Sequence, residues 1–393
     1  MTACDTRSVV DWLIDGARSA IESQDVLGEL CSRLIACGIP LYRVAVFVRT
    51  LHPEIMGRRF LWRPGEAVSV SAAPFDTLES DDFRSSPVAR VYETRMAIRR
   101  RLADSDCPID FSLLTGLRAE GVTDYLATPL DFTWGEIHVA TWTTRQPGGF
   151  SDAQMQGLQA IIAPLARVAE IRALRRTAVN LLNTYVGHDA GERIMAGQIR
   201  RGHTEAIHAA IWLSDMRGFT TRADRLAPRM LIELLNRYFD GQVPAIRRYG
   251  GEVLKFMGDG LLAIFPVAEG SGNISQVCQS ALAAAREAKA AVAEMADRND
   301  GSADSVRFGL ALHLGEVLYG NIGGESRLDY TCIGPAVNLA ARLEKLTAKL
   351  GRTILASTLF AQHCPDAFLP VGEFALAGFA APQMAFGLTD EPA

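Results

Sequence analysis

Residues 250–265 read GGEVLKFMGDGLLAIF, and the fold turns on how this stretch is read. Two apolar runs, Glu252–Phe256 and Leu261–Phe265, flank the turn Met257-Gly258-Asp259-Gly260, which is the pattern of a tight β-hairpin. Upstream, Ile207–Leu213 is a short apolar strand and Pro228–Tyr249 carries a helical period. Downstream, Ser275–Ala296 is an alanine-rich helix, and Val306–Leu314 and Arg327–Ile333 read as strands. Ala336–Leu350 is a helix and Thr353–Ala356 a strand. Strand, helix, hairpin, helix, strand is the order of a ferredoxin-like (βαββαβ) arrangement. Residues 207–393 are therefore expected to form one α+β domain.

The preceding part also reads as α+β. Residues 7–37 carry a helical period broken near Gln24, Tyr42–Val48 is strand-like, and a polar region with Gly57, Pro64, Gly65 and Pro74 follows. Pro87–Ile98 and Phe111–Glu120 look helical, and Asp124–Pro129 and Ile137–Thr143 look like strands. From Ser151 a helix of thirty-odd residues runs to about Gly187, with Leu158, Ile161, Ile162, Leu165, Val168, Ile171, Leu174, Ala178, Leu181 and Tyr185 as its stripe. Such a length exceeds an ordinary core helix and suits pairing with its copy in a dimer; two shorter helices broken near Arg175 are the plainer alternative. Three regions result: a first α+β domain over 1–172, a helical linker over 173–206 and the second α+β domain over 207–393.

Composition narrows the classes. The chain has 393 residues, 48% hydrophobic and 22% charged, which is globular. A net charge of −5 argues against a nucleic-acid protein. The one dense basic run, Arg99-Arg100-Arg101, reads as a solvated face. Cys4, Cys31, Cys37, Cys107, Cys278, Cys332 and Cys364 are scattered, forming neither a disulfide framework nor a zinc pattern. The first residues carry acids within their apolar stretch, unlike a signal peptide, and no run is long and apolar enough to span a membrane. A cytoplasmic protein is expected.

Two acids open the chemistry. Asp215 follows an apolar strand in SDMRGFT (214–220), and Asp259 sits at the hairpin tip. If the strand and hairpin are neighbours, both carboxylates meet at one edge. Two hard oxygen ligands suit Mg²⁺ or Mn²⁺ together with substrate phosphates. Gly218 lets the following turn aim backbone N–H groups at a polyphosphate. Taken alone, Asp259 is a common turn residue and Asp215 a helix cap. Asn338 and Arg342 lie one helical turn apart on one face, where an arginine fork can reach a phosphate. Alone, Arg342 reads as an exposed arginine paired with Glu344.

Together SDMRGFT, GGEVLKFMGDGLLAIF, GEVLYGNIG (315–323, read as a turn) and YTCIGPAVNLAARLE (330–344) resemble the class III adenylyl/guanylyl cyclase family over roughly residues 207–345. The resemblance implies conversion of ATP to 3′,5′-cyclic AMP and pyrophosphate by attack of the ribose 3′-OH on the α-phosphate. Asp215, Asp259 and the Met216 backbone carbonyl would hold two Mg²⁺ or Mn²⁺ ions per site. Asn338 would orient the ribose, Arg342 would stabilise the transition state, and the loop Arg217, Gly218, Phe219, Thr220 would cradle the terminal phosphates. Lys255 and Thr331 would read adenine, whose N1 accepts and whose 6-amino group donates. Cys332 reads as core.

The same family builds its sites at a head-to-tail interface, which implies a homodimer. It often carries a phosphate-gripping basic residue in a late strand; here Ala377 stands at the corresponding place, and no substitute is named. A guanylate or mixed-specificity cyclase, or a catalytically silent nucleotide-binding regulator, are the alternatives. Residues 1–172 resemble a GAF-type sensor domain, with an unknown ligand or partner, and residues 175–206 would transmit its state. His138 reads as a core or surface histidine, and Trp62, Trp134 and Trp142 as core side chains, rather than as ligand contacts.

Overall fold

A computed structural model describes residues 5–268, 273–297 and 306–391. The chain divides into two compact units, Met1–Leu181 and Leu182–Ala393. Cys4 lies outside the described residues, and the other six cysteines are free thiols.

In the first unit, α1 (Arg7–Ile14) and α2 (Ser23–Ala36) precede β1 (Arg43–Arg49), β2 (Ile55–Trp62) and β3 (Ser69–Pro74). Next come α3 (Asp81–Arg84), α4 (Pro87–Thr94), β4 (Ile98–Arg100), α5 (Ser112–Ala119), β5 (Asp124–Asp131) and β6 (Ile137–Thr144). The long helix α6 (Asp152–Tyr185) follows and continues into the second unit. The six strands form one antiparallel sheet in the order β3-β2-β1-β6-β5-β4. One face packs on α1, α2 and α6 through Leu13, Leu30, Leu34, Phe60, Ile161 and Leu165. The other packs on α4 and α5 through Val91, Leu114, Leu117 and Val139.

Several expectations need correcting here. The polar region after β1 holds two strands, β2 and β3; their arginines and small residues concealed the period of a half-buried sheet. The helix expected over Pro87–Ile98 ends at Thr94, because Arg95 turns left-handed at φ 58 and Ile98 then pairs with Ala127. Trp134 is exposed, whereas Trp62 and Trp142 are core. His138, open between core and surface in the sequence, is buried: its Nδ1 accepts the Arg49 N–H at 3.0 Å, and burial pushes its pKa down to about 4. Arg99, Arg100 and Arg101 are held by Asp124, Asp110 and Asp104.

The second unit opens with α7 (His188–Met195), β7 (Thr204–Met216), α8 (Phe219–Arg225), α9 (Pro228–Asp240) and α10 (Val243–Arg248). The hairpin β8 (Glu252–Met257) and β9 (Gly260–Pro266), the helix α11 (Ile274–Asp297) and the strands β10 (Phe308–Gly323) and β11 (Leu328–Ile333) follow. The unit closes with α12 (Pro335–Leu350), β12 (Ile354–Ser357), α13 (Thr358–Ala361), β13 (Phe368–Phe374) and β14 (Gln383–Leu388). The sheet order is β13-β14-β12-β10-β7-β9-β8, with β11 paired to β10. Successive residues of β7 feed opposite cores: Ala210 and Trp212 face α9, α10 and α11, while Ile211 and Leu213 face α7 and α12. Both faces being covered explains its nearly unbroken apolar run.

Two readings change. Pro228–Tyr249 is two helices, because Gln242 turns inward to accept the Ser214 hydroxyl at 2.7 Å and Pro244 starts the next helix. GEVLYGNIG is not a turn but the second half of the 16-residue strand β10. Gly315 marks close packing there: a Cβ would stand 2.8 Å from that of Ala336 on α12. No described helix is long and apolar enough to cross a membrane.

Candidate active site

Asp215 lies in the last turn of register of β7, opposite Gly309 of β10. On the other side β7 pairs with β9, Ser214 facing Leu261, so the β8–β9 turn falls beside Asp215. A Cβ on Gly260 would stand 3.3 Å from Asp215 Oδ1. The edge therefore brings Asp215 and Asp259 together, as the sequence predicts. The Asp215 pKa is pushed up to about 6, by burial first and then by the charge and hydrogen bond of Asp259, against a smaller pull from Lys345 and the Met216 N–H.

A third carboxyl stands behind this pair. Glu344 is buried on α12, and its Oε1 faces Gly309, where a Cβ would stand 2.8 Å away. Its pKa is pushed up to about 7 by burial and then by Asp215. The sequence offered Glu344 as a partner for Arg342; the fold turns it inward instead. Arg342 Nε donates to the Ala377 carbonyl at 3.2 Å. Among the described residues, no group of three or more His, Cys, Asp or Glu side chains is arranged to hold a metal ion. The Asp215–Asp259 pair still fits a divalent cation, since positive charge between two adjoining carboxylates relieves the repulsion that raises the proton affinity of Asp215.

Gly218 adopts φ 71 and caps α8, so the loop turns where the sequence places it. Phe219 packs against the core, and Gly218 and Thr220 are exposed. The Arg217 side chain goes elsewhere: its Nη2 donates to the carbonyls of Thr347, at 3.0 Å, and Arg352. Beside the loop lies a cavity of about 450 Å³ lined by Arg217, Arg222, Arg225, Arg237 and Arg307. Sequence reading missed Arg307. Its carbonyl accepts the Arg217 N–H at 2.8 Å, and it immediately precedes Phe308, which pairs with Met216. Its signal was that register, invisible until the two strands are paired.

A second set gathers on β8, β11 and the outer face of α12. Lys255 Nζ lies 4.0 Å from Asp329 Oδ2. Thr331 Oγ1 is buried with no hydrogen-bond partner among the described residues. Cys332 is core, its thiol pushed up to about 11 by burial with Lys255 opposing. On α12 the stripe Leu339, Ala340, Leu343 and Leu346 is buried, leaving Asn338 exposed and Arg342 half-buried. No described hydrogen bond or ion pair joins Asp215 or Asp259 to Lys255, Thr331, Asn338 or Arg342.

Among known proteins, residues 203–362 match the family described as adenylate and guanylate cyclase catalytic domain. The chain is 32% identical over 164 residues to adenylate cyclase 1 of Rhizobium meliloti (strain 1021), covering 40% of this chain and 24% of that protein. With an adenylate cyclase of Anabaena cylindrica it is 30% identical over 177 residues, 43% of this chain and 34% of that one. The chain thus spans between 24% and 34% of the length of these curated relatives. The crystal structure of the adenylyl cyclase CyaB from P. aeruginosa is 27% identical, with a TM-score of 0.41, over 48% of this chain and 97% of that one. The guanylyl cyclase Cya2 is likewise 27% identical, with a TM-score of 0.41, over 47% and 93%.

Proposed function

We propose, from the match of residues 203–362 to the adenylate and guanylate cyclase catalytic-domain family, that the protein converts ATP to 3′,5′-cyclic AMP and pyrophosphate. The observation that carries this reading is the meeting of Asp215 and Asp259 at one sheet edge. Those two carboxylates, with the Met216 carbonyl, would hold two Mg²⁺ or Mn²⁺ ions, which supply activation of the ribose 3′-OH and charge neutralisation at phosphate. Arg342 donates to the α-phosphate oxygens as charge develops, and Asn338 holds the ribose. The backbone of residues 217–220 faces the terminal phosphates, with Arg307 beside it.

The choice of ATP rests on Lys255 and Thr331. The orphaned Thr331 hydroxyl is a buried polar atom that a 6-amino group would satisfy, and Lys255 would donate to adenine N1. Adenylate cyclase relatives in the comparison point the same way.

The working form is a homodimer in which Asp215 and Asp259 of one chain serve with Lys255, Thr331, Asn338 and Arg342 of the other. Supporting it, α6 exposes Ile171, Leu174, Leu181 and Tyr185 at heptad spacing, a seam that pairing would cover. We read the second unit as a ferredoxin-like core, strands β10-β7-β9-β8, and the first as a GAF-like sensory domain over 1–172 joined by a linker over 173–206 to the catalytic domain over 207–393.

Purified protein incubated with Mn²⁺ and either ATP or GTP tests the reaction: cyclic AMP should dominate, and cyclic GMP as main product or no cyclic nucleotide would overturn it. D259N and R342A should each be inactive alone and recover about a quarter to a half of activity when mixed, as expected for shared sites. No recovery between exchanging dimers would place each site within one chain.

A further inference from the structure

The first unit contains an apolar cavity between the sheet and the helices α2 and α6. Val26, Leu27, Val46, Phe60, Leu165 and Val168 line it. Its volume is about 60 Å³, and it shares Ser23, Val168, Arg172 and Arg176 with an outer cavity of about 700 Å³. The lining contains Arg49, Arg58, Arg172 and Arg176 and no acid.

Arg58 is the anomaly. In the register of β1 and β2 it faces Val48, two places from the Val46–Phe60 pair, so it occupies the core side of the sheet where an apolar residue is expected. Its Nε is buried with no hydrogen-bond partner among the described residues, and the same holds for Thr50 Oγ1, which lines the same cavity. Burial and then the nearby charge of Arg176 lower the proton affinity of Arg58. Its neighbours have partners: Arg172 donates to the Ala20 and Ile21 carbonyls at 2.6 and 2.8 Å, and Arg176 lies 3.8 Å from Glu22. Arg49 stacks over Tyr92. Arg58 is half-buried, with its Nε set against the apolar lining and no acid beside it in the cavity, so an anion entering there would give that donor an acceptor.

We propose that this cavity binds a short-chain monocarboxylate, its carboxylate held by Arg58 and Thr50 and its hydrocarbon body packed against Val26, Leu27 and Phe60. The planar fork of Arg58 matches a carboxylate in two parallel hydrogen bonds. The apolar lining favours a singly charged anion over a phosphate, whose greater charge is harder to desolvate. Pockets of this make-up, apolar walls with a few convergent polar groups, are the usual form of small-molecule sites.

Calorimetric titration of the full chain with acetate, butyrate and hexanoate, and with butan-1-ol as the uncharged control, tests this. At least one acid should bind with Kd at or below about 1 mM, and butan-1-ol at least about tenfold more weakly than butyrate. R58L should weaken acid binding about tenfold or more while leaving the melting temperature of the free chain unchanged or raised, since it removes a buried Nε that has no hydrogen-bond partner among the described residues. R58K, which keeps the charge and loses the fork, should fall between. No binding by any acid, equal binding by butan-1-ol, or undiminished binding by R58L overturns the site; an R58L chain that melts lower without ligand makes Arg58 a structural residue. Because the readout is binding, the result stands whatever nucleotide the second unit uses.

Discussion

Glu252 Oε1 accepts the backbone N–H of Asp189 at 2.9 Å, so the first residue of the strand carrying Lys255 holds the first turn of α7. The Ala190 N–H reaches the same oxygen at 3.5 Å, and the Tyr319 hydroxyl donates to Oε2 at 3.4 Å. Gly187 makes the approach possible, since a Cβ there would stand 2.8 Å from Oε1. Removing these acceptors with E252A should cost the second unit about 1–3 kcal/mol, because hydrogen bonds to a carboxylate are the stronger kind. E252Q, which keeps an acceptor oxygen, should cost less. Denaturant midpoints decide it: an E252A midpoint equal to wild type means the tie carries no stability.

The Asp215–Asp259 pair sets a pH dependence of stability in the absence of metal. The Asp215 pKa is pushed up to about 6 in the folded chain, against about 4 in an unfolded one. Between those values the folded chain holds a proton that the unfolded chain has released, so stability falls as pH rises through that window. D259N removes the neighbouring charge and should raise the pH 7 stability of the metal-free chain by about 1 kcal/mol, a figure kept small because Asp215 is half exposed. Thermal melts in a chelator at pH 4.5 and pH 7 should show a smaller drop for D259N than for wild type. Adding Mn²⁺ at pH 7 should stabilise wild type more than the variant. A wild-type melt that does not change between the two pH values removes the electrostatic argument.

What could be read from sequence, and what could not, follows from where the information lies. The β8–β9 hairpin was legible because Gly258-Asp259-Gly260 is local turn chemistry between two apolar runs. The stripe of α12 was legible because Leu339, Leu343 and Leu346 repeat at helical spacing. The break between α9 and α10 was not, because its cause is a tertiary bond from Gln242 to Ser214. Nor was the length of β10, since Gly315 suggests a turn to any local reading, whereas it makes room for Ala336 across a helix–sheet contact. Within the site, Asp215 and Asp259 could be paired by topology, but the inward turn of Glu344 and the placement of Arg307 depend on register.

Gly309 is the point where that register is most exposed to disturbance. It faces Asp215 across the ladder, and a Cβ there would collide with Thr347 Oγ1 and press on Glu344 Oε1. G309A should therefore destabilise the second unit by about 1–3 kcal/mol, as overpacking does. Gly324 has nothing within 4 Å of its would-be Cβ, so G324A should stay within about 0.5 kcal/mol of wild type. Equal denaturant midpoints for the two variants would mean that α12 yields at Gly309 without cost.

Arg217 and Arg307 separate structure from substrate binding. Both line the cavity beside the Gly218 turn, and the sequence assigned the phosphate role to the segment beginning at Arg217. Yet the Arg217 guanidinium donates to the Thr347 and Arg352 carbonyls, tying the strand end to the C-terminus of α12. R217A should accordingly cost about 1–3 kcal/mol of stability by leaving those carbonyls short of a donor, with KM for ATP changed less than about threefold. Arg307 is exposed, and only its backbone carbonyl enters the network described for the loop. R307A should leave the denaturant midpoint unchanged and raise KM for ATP about tenfold, the effect of losing one contact to a terminal phosphate. Steady-state kinetics and denaturant unfolding on the same two variants decide between the roles. A rise in KM for R217A with unchanged stability would return the phosphate contact to Arg217 and leave Arg307 as a bystander on the cavity wall.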